Sequence, residues 1–259
     1  MSPALLALLL ACAPPAPPPG PRVVSLHDTT TEMVVGLGRA RDLVAIMEPE
    51  FLSPEAERAT AGLPRLGAPV SPEALMQLQP TVVLGTEDVT EHQPELAGLT
   101  NAVWVDPVGL EGLWSSIEAV GGALGVDSTS YISSLKEKLP EPVSGDLTVF
   151  FYDCCEPPFT MGGRAPLTEI LPRLGAKNAF ADLDQDWGRV SFEAAMARHP
   201  ALVVVNDYSG EGEPTEKIEV VHRVFPGVPT VVLPLGLALE GPRTLDAAAV
   251  LAPAIAAAQ

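Results

Sequence analysis

The sequence predicts an α/β protein in which two similarly built lobes carry parallel sheets. Three observations predict it: apolar strands that alternate with helix-like stretches, an internal repeat, and a helical segment in mid-chain. The strand candidates read RVVSLH, LVAIM, TVVLG, AVWVD, LTVFFYD, LVVVND and TVVLP. Segments that are apolar on both faces and separated by helices are typical of parallel sheets covered on both sides.

The internal repeat relates two segments that lie 120 residues apart. EALMQLQPTVVL begins at Glu73 and aligns with EAAMARHPALVVV, which begins at Glu193. A second pair, TEMVVGLG from Thr31 and TEILPRLG from Thr168, occurs in the same order. Two ordered matches favour two lobes of similar construction, and chance similarity between α/β segments is the alternative.

The segment between the repeats has helical spacing. Apolar residues recur at helical intervals from Leu110 to Leu124, and Asp127 or Ser128 is suited to cap a second helix. A helical connection transmits orientation between lobes, whereas a Gly/Ser linker does not. We therefore expect an N-terminal lobe over residues 22–107, linking helices over 108–145 and a C-terminal lobe over 146–259.

Composition and charge narrow the function classes. The chain has 259 residues, of which 47% are hydrophobic and 19% charged, which is enough for packed cores. Its formal net charge of −18 would repel the phosphate backbone of nucleic acids, so we expect no nucleic-acid partner. The sequence contains no Cys-x-x-Cys, nucleophile-elbow, Walker-type or zinc-hydrolase motif, which argues against an enzyme.

Residues 1–12, MSPALLALLLAC, form an apolar segment of signal-peptide length that ends at Cys12. The ending Leu-Leu-Ala-Cys resembles the lipobox of bacterial lipoproteins, which implies that Cys12 is lipidated and anchors the mature chain to a membrane. An ordinary secretory signal or a disordered apolar end is the alternative. Residues 13–21, APPAPPPGP, predict a stiff tether, so we expect an extracytoplasmic, lipid-anchored domain.

Three longer segments resemble the substrate-binding proteins of ABC importers for cobalamin, siderophore–iron and haem. They read RVVSLHDTTTEMVVGLGRARDLVAI, LPRLGAPVSPEALMQLQPTVVLG and GAKNAFADLDQDWGRVSFEAAMARHPALVVV, and they follow the family's order. The resemblance implies two Rossmann-like lobes joined by a rigid helix, with the ligand held in a cleft between them. It also implies a monomer without a cofactor, whose metal-chelate ligand itself contains Co or Fe.

The resemblance further implies delivery of the ligand to a membrane-embedded ABC permease dimer. In better-known members one glutamate on each lobe docks onto permease arginines, and the matching positions here are Glu73 and Glu193. One carboxylate on each of two similar lobes suits a two-fold symmetric partner. The alternative is an acidic residue that stabilises the first turn of a helix.

Ligands of parallel α/β sheets bind beyond the carboxyl ends of the strands, and this rule selects candidate site residues in both lobes. In the first lobe they are His27, Asp28, Thr29, Thr30, Met47, Glu48, Thr86, Glu87 and Asp88. In the second lobe they are Tyr152, Asp153, Cys154, Cys155, Phe159, Asn206, Asp207 and Tyr208.

Several of these candidates have a plainer interpretation. Thr29 and its neighbours are also suited to cap the first helix. Trp187 stands where the family often places an aromatic ring against its ligand, and a core position between the lobes is the alternative. Arg243 is suited either to an anionic ligand or to capping local structure.

The adjacent Cys154 and Cys155 depart from the sequence YDSGEDxPFTAGG that similar family members carry at this position. Three states remain open: a vicinal disulfide, free loop thiols, or a soft-metal site completed by His27 or Met161. A soft-metal site would imply a protein that binds a bare soft metal ion. A redox-active pair would imply an extracytoplasmic thiol oxidoreductase. The departure also puts in doubt any ligand carried over from relatives.

Overall fold

The computed structural model describes residues 20–208 and 214–259. The predicted leader, the predicted lipidation site Cys12 and most of the predicted tether lie outside the described residues. No helix within the described ranges is long and apolar enough to cross a membrane.

Eleven strands and eleven α-helices alternate along the described part of the chain. The strands are β1 Val23–Ser25, β2 Leu43–Met47, β3 Arg65–Leu66, β4 Val82–Thr86, β5 Ala102–Val105, β6 Leu147–Tyr152, β7 Phe159–Met161, β8 Ala176–Asn178, β9 Trp187–Arg189, β10 Leu202–Asp207 and β11 Thr230–Pro234. The helices are α1 Asp28–Gly36, α2 Pro54–Ala59, α3 Pro72–Gln77, α4 Glu87–His92, α5 Gly109–Leu124, α6 Thr129–Lys136, α7 Pro166–Ile170, α8 Phe192–Ala197, α9 Thr215–Val224, α10 Leu235–Ala238 and α11 Ala247–Ala258. Short 3-10 helices span Ala40–Asp42, Pro94–Leu96, Leu171–Leu174 and Pro242–Asp246.

The strands form two parallel sheets of matching order. The first sheet has the order β3-β2-β1-β4-β5, and the second has β11-β10-β6-β8. β1 and β6 are the first strands of their sheets along the chain, and each pairs with a strand that carries the Val-rich repeat, β4 or β10. An antiparallel pair, β7 with β9, is added to the second lobe. The α/β prediction with two parallel sheets is confirmed.

The seven predicted strands are all present, as β1, β2, β4, β5, β6, β10 and β11. The structure adds four strands that the sequence did not predict, β3, β7, β8 and β9, each only two or three residues long. Strands this short carry too few residues for a periodic pattern.

Each sheet places alternate side chains in different apolar clusters because successive residues of a strand point to opposite faces. In β6, Val149 and Phe151 belong to the central cluster, whereas Phe150 and Tyr152 pack in an outer cluster with Phe225. Both faces of the second sheet are therefore buried, as its continuous apolar strands predict.

The long helix α5 lies within the central apolar cluster that both lobes share. Leu113, Ile117 and Val120 of α5 are fully buried, and the same cluster contains Leu84 of the first sheet and Val149 of the second. α5 packs against α1 on one side and α7 on the other. The two lobes thus share one core, which holds them in a defined orientation.

The repeated segments adopt the same local structure. Ser71 and Ser191 cap α3 and α8, each accepting a hydrogen bond from the backbone N–H three residues later. Two residues after the last residue of each helix comes a residue with positive φ that precedes a proline, Gln79 at 48° and His199 at 49°. The two repeated segments therefore match in structure from the N-terminal cap of each helix through the turn that follows it.

Candidate functional site

A cleft of about 530 Å³ opens between the two sheets, at the carboxyl ends of their strands. The first lobe contributes residues that follow β1, β4 and β5, and the second contributes residues that follow β6, β10 and β11 together with the β7–β9 pair. The lining residues are His27, Thr86, Glu87, Asp88, Glu91, Val105, Asp106, Pro107, Val108, Asp153, Phe159, Arg164, Asp186, Trp187, Tyr208, Leu235, Leu239 and Glu240. Parallel α/β sheets bind ligands at this edge, so the cleft is the candidate binding site.

Aromatic rings form part of the cleft wall in the second lobe. Phe159 and Trp187 stack with ring centroids 5.8 Å apart and an angle of 21° between their planes. In the antiparallel β7–β9 pair Phe159 lies opposite Arg189 and Trp187 lies opposite Met161, so the two rings are diagonal neighbours on one face of the pair. A stacked pair of this kind offers a flat apolar surface to a planar ligand.

The indole N–H of Trp187 donates a hydrogen bond to Glu240 Oε1 at 2.8 Å, which fixes the ring at the cleft wall. Burial, and to a lesser extent the nearby carboxylates of Asp186 and Asp88, raise the pKa of Glu240 to about 7. The hydrogen bond from Trp187 acts in the opposite direction. Glu240 is therefore a carboxyl group that changes charge near neutral pH.

A hydrogen-bond network supports Asp153 at the end of β6. Its carboxylate accepts hydrogen bonds from Asn206 Nδ2 at 2.9 Å and from the Tyr208 hydroxyl at 2.5 Å. Lys217 donates to the Asn206 carbonyl at 2.7 Å, and its ammonium lies 4.0 Å from the centre of the Tyr208 ring. Burial and the bond to Asp153 raise the pKa of Tyr208, so this hydroxyl stays protonated.

Some known proteins are similar to this chain in sequence, although no protein-family model matches it. The chain is 26% identical over 221 residues to the vitamin B12-binding protein of Pectobacterium atrosepticum, an alignment that covers 79% of this chain and 77% of the relative. It is 25% identical over 214 residues to the vitamin B12-binding protein of Pectobacterium carotovorum, covering 78% of this chain and 76% of the relative.

Solved structures extend the likeness to the whole fold. A periplasmic binding protein from Veillonella parvula superposes with a TM-score of 0.77 at 23% identity, covering 90% of each chain. The periplasmic vitamin B12-binding protein of Vibrio cholerae superposes with a TM-score of 0.70 at 18% identity, covering 93% of this chain and 98% of that one. The chain has the fold of the periplasmic binding proteins. The resemblance that the sequence motifs indicate is thus confirmed.

In this periplasmic-binding-protein fold, eight of the nineteen candidate ligand-binding residues line the cleft. They are His27, Thr86, Glu87, Asp88, Asp153, Phe159, Trp187 and Tyr208. Asn206 and Asp207 are buried at the end of β10 and lie outside the lining.

His27 caps α1 while it faces the cleft. Its Nδ1 accepts a hydrogen bond from the Thr29 backbone N–H at 3.1 Å. A neutral imidazole that accepts at Nδ1 carries its hydrogen on Nε2, which leaves no lone pair there for a metal. The arrangement favours a hydrogen-bond donor over the metal ligand considered from the sequence.

Four predicted ligand-binding residues around the start of α1 and after β11 lie outside the cleft lining. Asp28 accepts hydrogen bonds from the backbone of Glu50 and Phe51 at 3.0 and 2.7 Å, and Thr30 is fully buried. Two of the four join the lobes: the Thr29 hydroxyl donates to the Glu240 carbonyl at 2.6 Å, and Arg243 donates to the Phe51 carbonyl. The contact of Arg243 with Phe51 fits the interpretation of Arg243 as a structural group.

Met47, Glu48 and Tyr152 are also absent from the cleft lining. β2 lies on the far side of β1 from β4 and β5, so the residues after it do not face the cleft. Tyr152 belongs to the face of β6 that packs outward, against Phe192. The order of the strands in the sheet places Met47 and Glu48 away from the cleft, and the face of the strand places Tyr152 away from it. The sequence alone did not predict either feature.

Cys154 and Cys155 form a vicinal disulfide with Cα atoms 3.7 Å apart, in the turn between β6 and β7. Neither cysteine lines the cleft, although Asp153 and Phe159 on either side of the turn do. Met161, the other candidate metal ligand, is fully buried. Among the described residues no group of three or more His, Cys, Asp or Glu side chains is placed to hold a metal ion.

Ten residues of the cleft lining were not predicted from the sequence. They are Glu91, Val105, Asp106, Pro107, Val108, Arg164, Asp186, Leu235, Leu239 and Glu240. The strand-end rule applied to β5 and β11 would have found Asp106 and Leu235. The positions of Arg164, Asp186 and Glu240 depend on loops with no comparable sequence signal.

The predicted docking residues Glu73 and Glu193 are both exposed, in the first turns of α3 and α8. Hydrogen bonds from their own backbone N–H groups and from Ser71 or Ser191 lower the pKa of each carboxyl. Both therefore present a carboxylate to solvent on corresponding surfaces of the two lobes.

Proposed function

We propose that this protein is an extracytoplasmic substrate-binding lipoprotein that captures a metal chelate and delivers it to an ABC importer. The chelate class comprises cobalamin, iron–siderophores and haem, and its Co or Fe belongs to the cargo rather than to a cofactor of the protein. The observation that carries the proposal is the interlobe cleft with its stacked Phe159–Trp187 pair.

The relatives support this ligand class. Vitamin B12-binding proteins are similar in sequence, and periplasmic proteins that bind vitamin B12 or haem share the fold. The cleft is a concave surface with an aromatic wall and many polar groups, which suits a bulky, partly planar ligand with a polar rim.

The delivery step and the membrane anchor are parts of the same proposal. The lipobox-like sequence at Cys12 would tether a monomer outside the cytoplasm, near the permease dimer that Glu73 and Glu193 would contact. The alternative functions of soft-metal capture and thiol oxidation have less support, because the two cysteines are joined to each other outside the cleft.

A thermal-shift screen of the full chain tests the proposal. A ligand present at a hundred times its Kd stabilises the folded state by about 2.7 kcal/mol, which raises the Tm of a chain of this size by about 5–10 °C. We expect such a shift with at least one of cobalamin, haem and ferric siderophores, and none with bare Zn²⁺ or Cu⁺.

Trp187→Ala should reduce the shift by half or more, since it removes the stacked aromatic wall, and Val143→Ala at an exposed position outside the cleft should leave it unchanged. The absence of a shift with every chelate at high excess would overturn the proposed function.

A further inference from the structure

The cleft lining is strongly acidic. Seven of its residues carry a carboxyl group: Glu87, Asp88, Glu91, Asp106, Asp153, Asp186 and Glu240. The basic lining residues are His27 and Arg164. No salt bridge within residues 20–208 and 214–259 involves any of the seven carboxyl groups, so most of their charge is left for the ligand to meet.

Both walls contribute to this charge. Glu87, Asp88, Glu91 and Asp106 come from the first lobe, and the other three come from the second. Lys217 offsets Asp153 in part from behind the wall. A ligand between the lobes is therefore approached by carboxylates from two sides, in a concave site that concentrates the field.

Glu240 lies within reach of two of the other carboxyl groups. Its pKa rises mainly through burial, and the neighbouring Asp186 and Asp88 add a smaller rise, so both effects disfavour a negative charge at this wall. An anionic ligand would meet the same resistance, because like charges at short range in a low-dielectric cleft repel strongly.

The wall also holds a polar group without a partner. Thr86 is 4% exposed and lies in the cleft lining, and its hydroxyl has no hydrogen-bond partner among the described residues. A buried hydroxyl without a partner is costly, which favours a ligand group that bonds to it. Carboxylates accept hydrogen bonds only, so the ligand periphery that complements this wall is rich in N–H donors.

On this basis, and resting on the proposed function, we propose that the cleft selects chelates with a neutral or cationic, amide-bearing periphery and rejects anionic chelates. Corrinoids, whose rim carries carboxamides, and cationic ferric hydroxamates fit this description. Haem, which carries propionates, and ferric tris-catecholates, which are anions, do not. Glu87, Glu91 and Asp106 of the first lobe are the specificity-determining residues that this assigns.

The test is a titration of the full chain with four probes: cyanocobalamin, ferrioxamine B, haem and ferric enterobactin. Binding is followed by calorimetry at low and high ionic strength. We expect the neutral or cationic probe that binds best to have a Kd at least tenfold lower than either anionic probe. High salt should narrow the difference, because it screens the carboxylates.

Glu87→Gln/Glu91→Gln and Asp106→Asn should each reduce the ratio of Kd values between anionic and neutral probes by threefold or more. Glu137→Gln/Glu141→Gln, a matched exposed pair outside the cleft, should leave the ratio unchanged. Haem or ferric enterobactin binding most tightly, or a ratio unaffected by the cleft variants, overturns the charge selection and leaves the proposed function standing. Failure of all four probes to bind overturns both.

Discussion

Glu240 connects the cleft wall to the contact between the lobes. Its side chain accepts the Trp187 indole N–H, and its backbone carbonyl accepts the Thr29 hydroxyl of the other lobe. The carboxyl group is half-buried in the cleft wall and lies near two further carboxylates, so it keeps its proton to a higher pH than a free glutamate. Protonation of this residue is therefore coupled to the stability of the fold.

We expect Glu240→Gln to stabilise the protein above neutral pH and to have little effect in acid. Because the pKa is about 7 in the folded chain and 4.5 ordinarily, the parent loses stability as pH rises from about 4.5 through 7. The loss is on the order of 2–3 kcal/mol at pH 8. Glutamine keeps an oxygen for Trp187 and has no proton to lose.

Differential scanning calorimetry at pH 4.5, 6 and 8 measures this effect. The Tm of the variant should exceed that of the parent by about 4–10 °C at pH 8, and the difference should shrink toward zero at pH 4.5. Glu118→Gln, at an exposed position of α5, should show no such trend. A difference that is constant across pH would contradict the coupling.

At the scale of elements, α3 and α8 end in the same strained way. Each is followed by a non-glycine residue in the left-handed region, Gln79 or His199, where helices usually place glycine. The left-handed conformation costs an ordinary residue about 1–2 kcal/mol, whereas glycine adopts it freely. Both side chains are exposed and lie outside the cleft lining.

Gln79→Gly and His199→Gly should each stabilise the chain by about 0.5–1 kcal/mol, after the greater freedom of glycine in the unfolded state is subtracted. Their effects should add because they lie on separate lobes. Urea unfolding measures both. Gln77→Gly and Ala197→Gly, two residues earlier within the helices, are the controls and should destabilise by up to about 1 kcal/mol. Stabilisation by the control substitutions would rule out the strain at the helix ends.

The elements also show what the sequence can and cannot predict. Long apolar strands such as β6 and β10 and the helix α5 were predictable, since each carries a pattern over several residues. The residues of the cleft were harder to predict than the strands. Met47 ends a correctly predicted strand and Glu48 follows it, yet β2 lies away from the cleft in the sheet order. Glu240 was missed because it reaches the cleft from an irregular loop, where no periodicity marks it.

At the scale of the whole molecule, the repeat produces two similar surfaces, one on each lobe. Each presents a carboxylate and, three residues later on the same helix face, an exposed methionine: Glu73 with Met76 and Glu193 with Met196. Met76 is 74% exposed and Met196 42%, so each surface places an apolar side chain beside its carboxylate. A two-fold symmetric partner with basic and apolar groups would meet both surfaces with equivalent parts of its own.

Reversal of these charges should separate delivery from capture. Glu73→Lys and Glu193→Lys lie outside the cleft lining, so the Kd for the chelate should stay within twofold of the parent value. The measurement uses proteoliposomes that contain the proposed permease. Each single change should reduce ligand-dependent stimulation of ATP hydrolysis. The double change should lower it at least tenfold, because both halves of the proposed symmetric contact are lost. Glu137→Lys/Glu141→Lys changes the net charge equally at exposed positions outside both repeats and should retain stimulation. Full stimulation by the double variant would show that delivery proceeds through some other surface. An equal loss of stimulation in the control pair would show that the net charge matters rather than these two carboxylates.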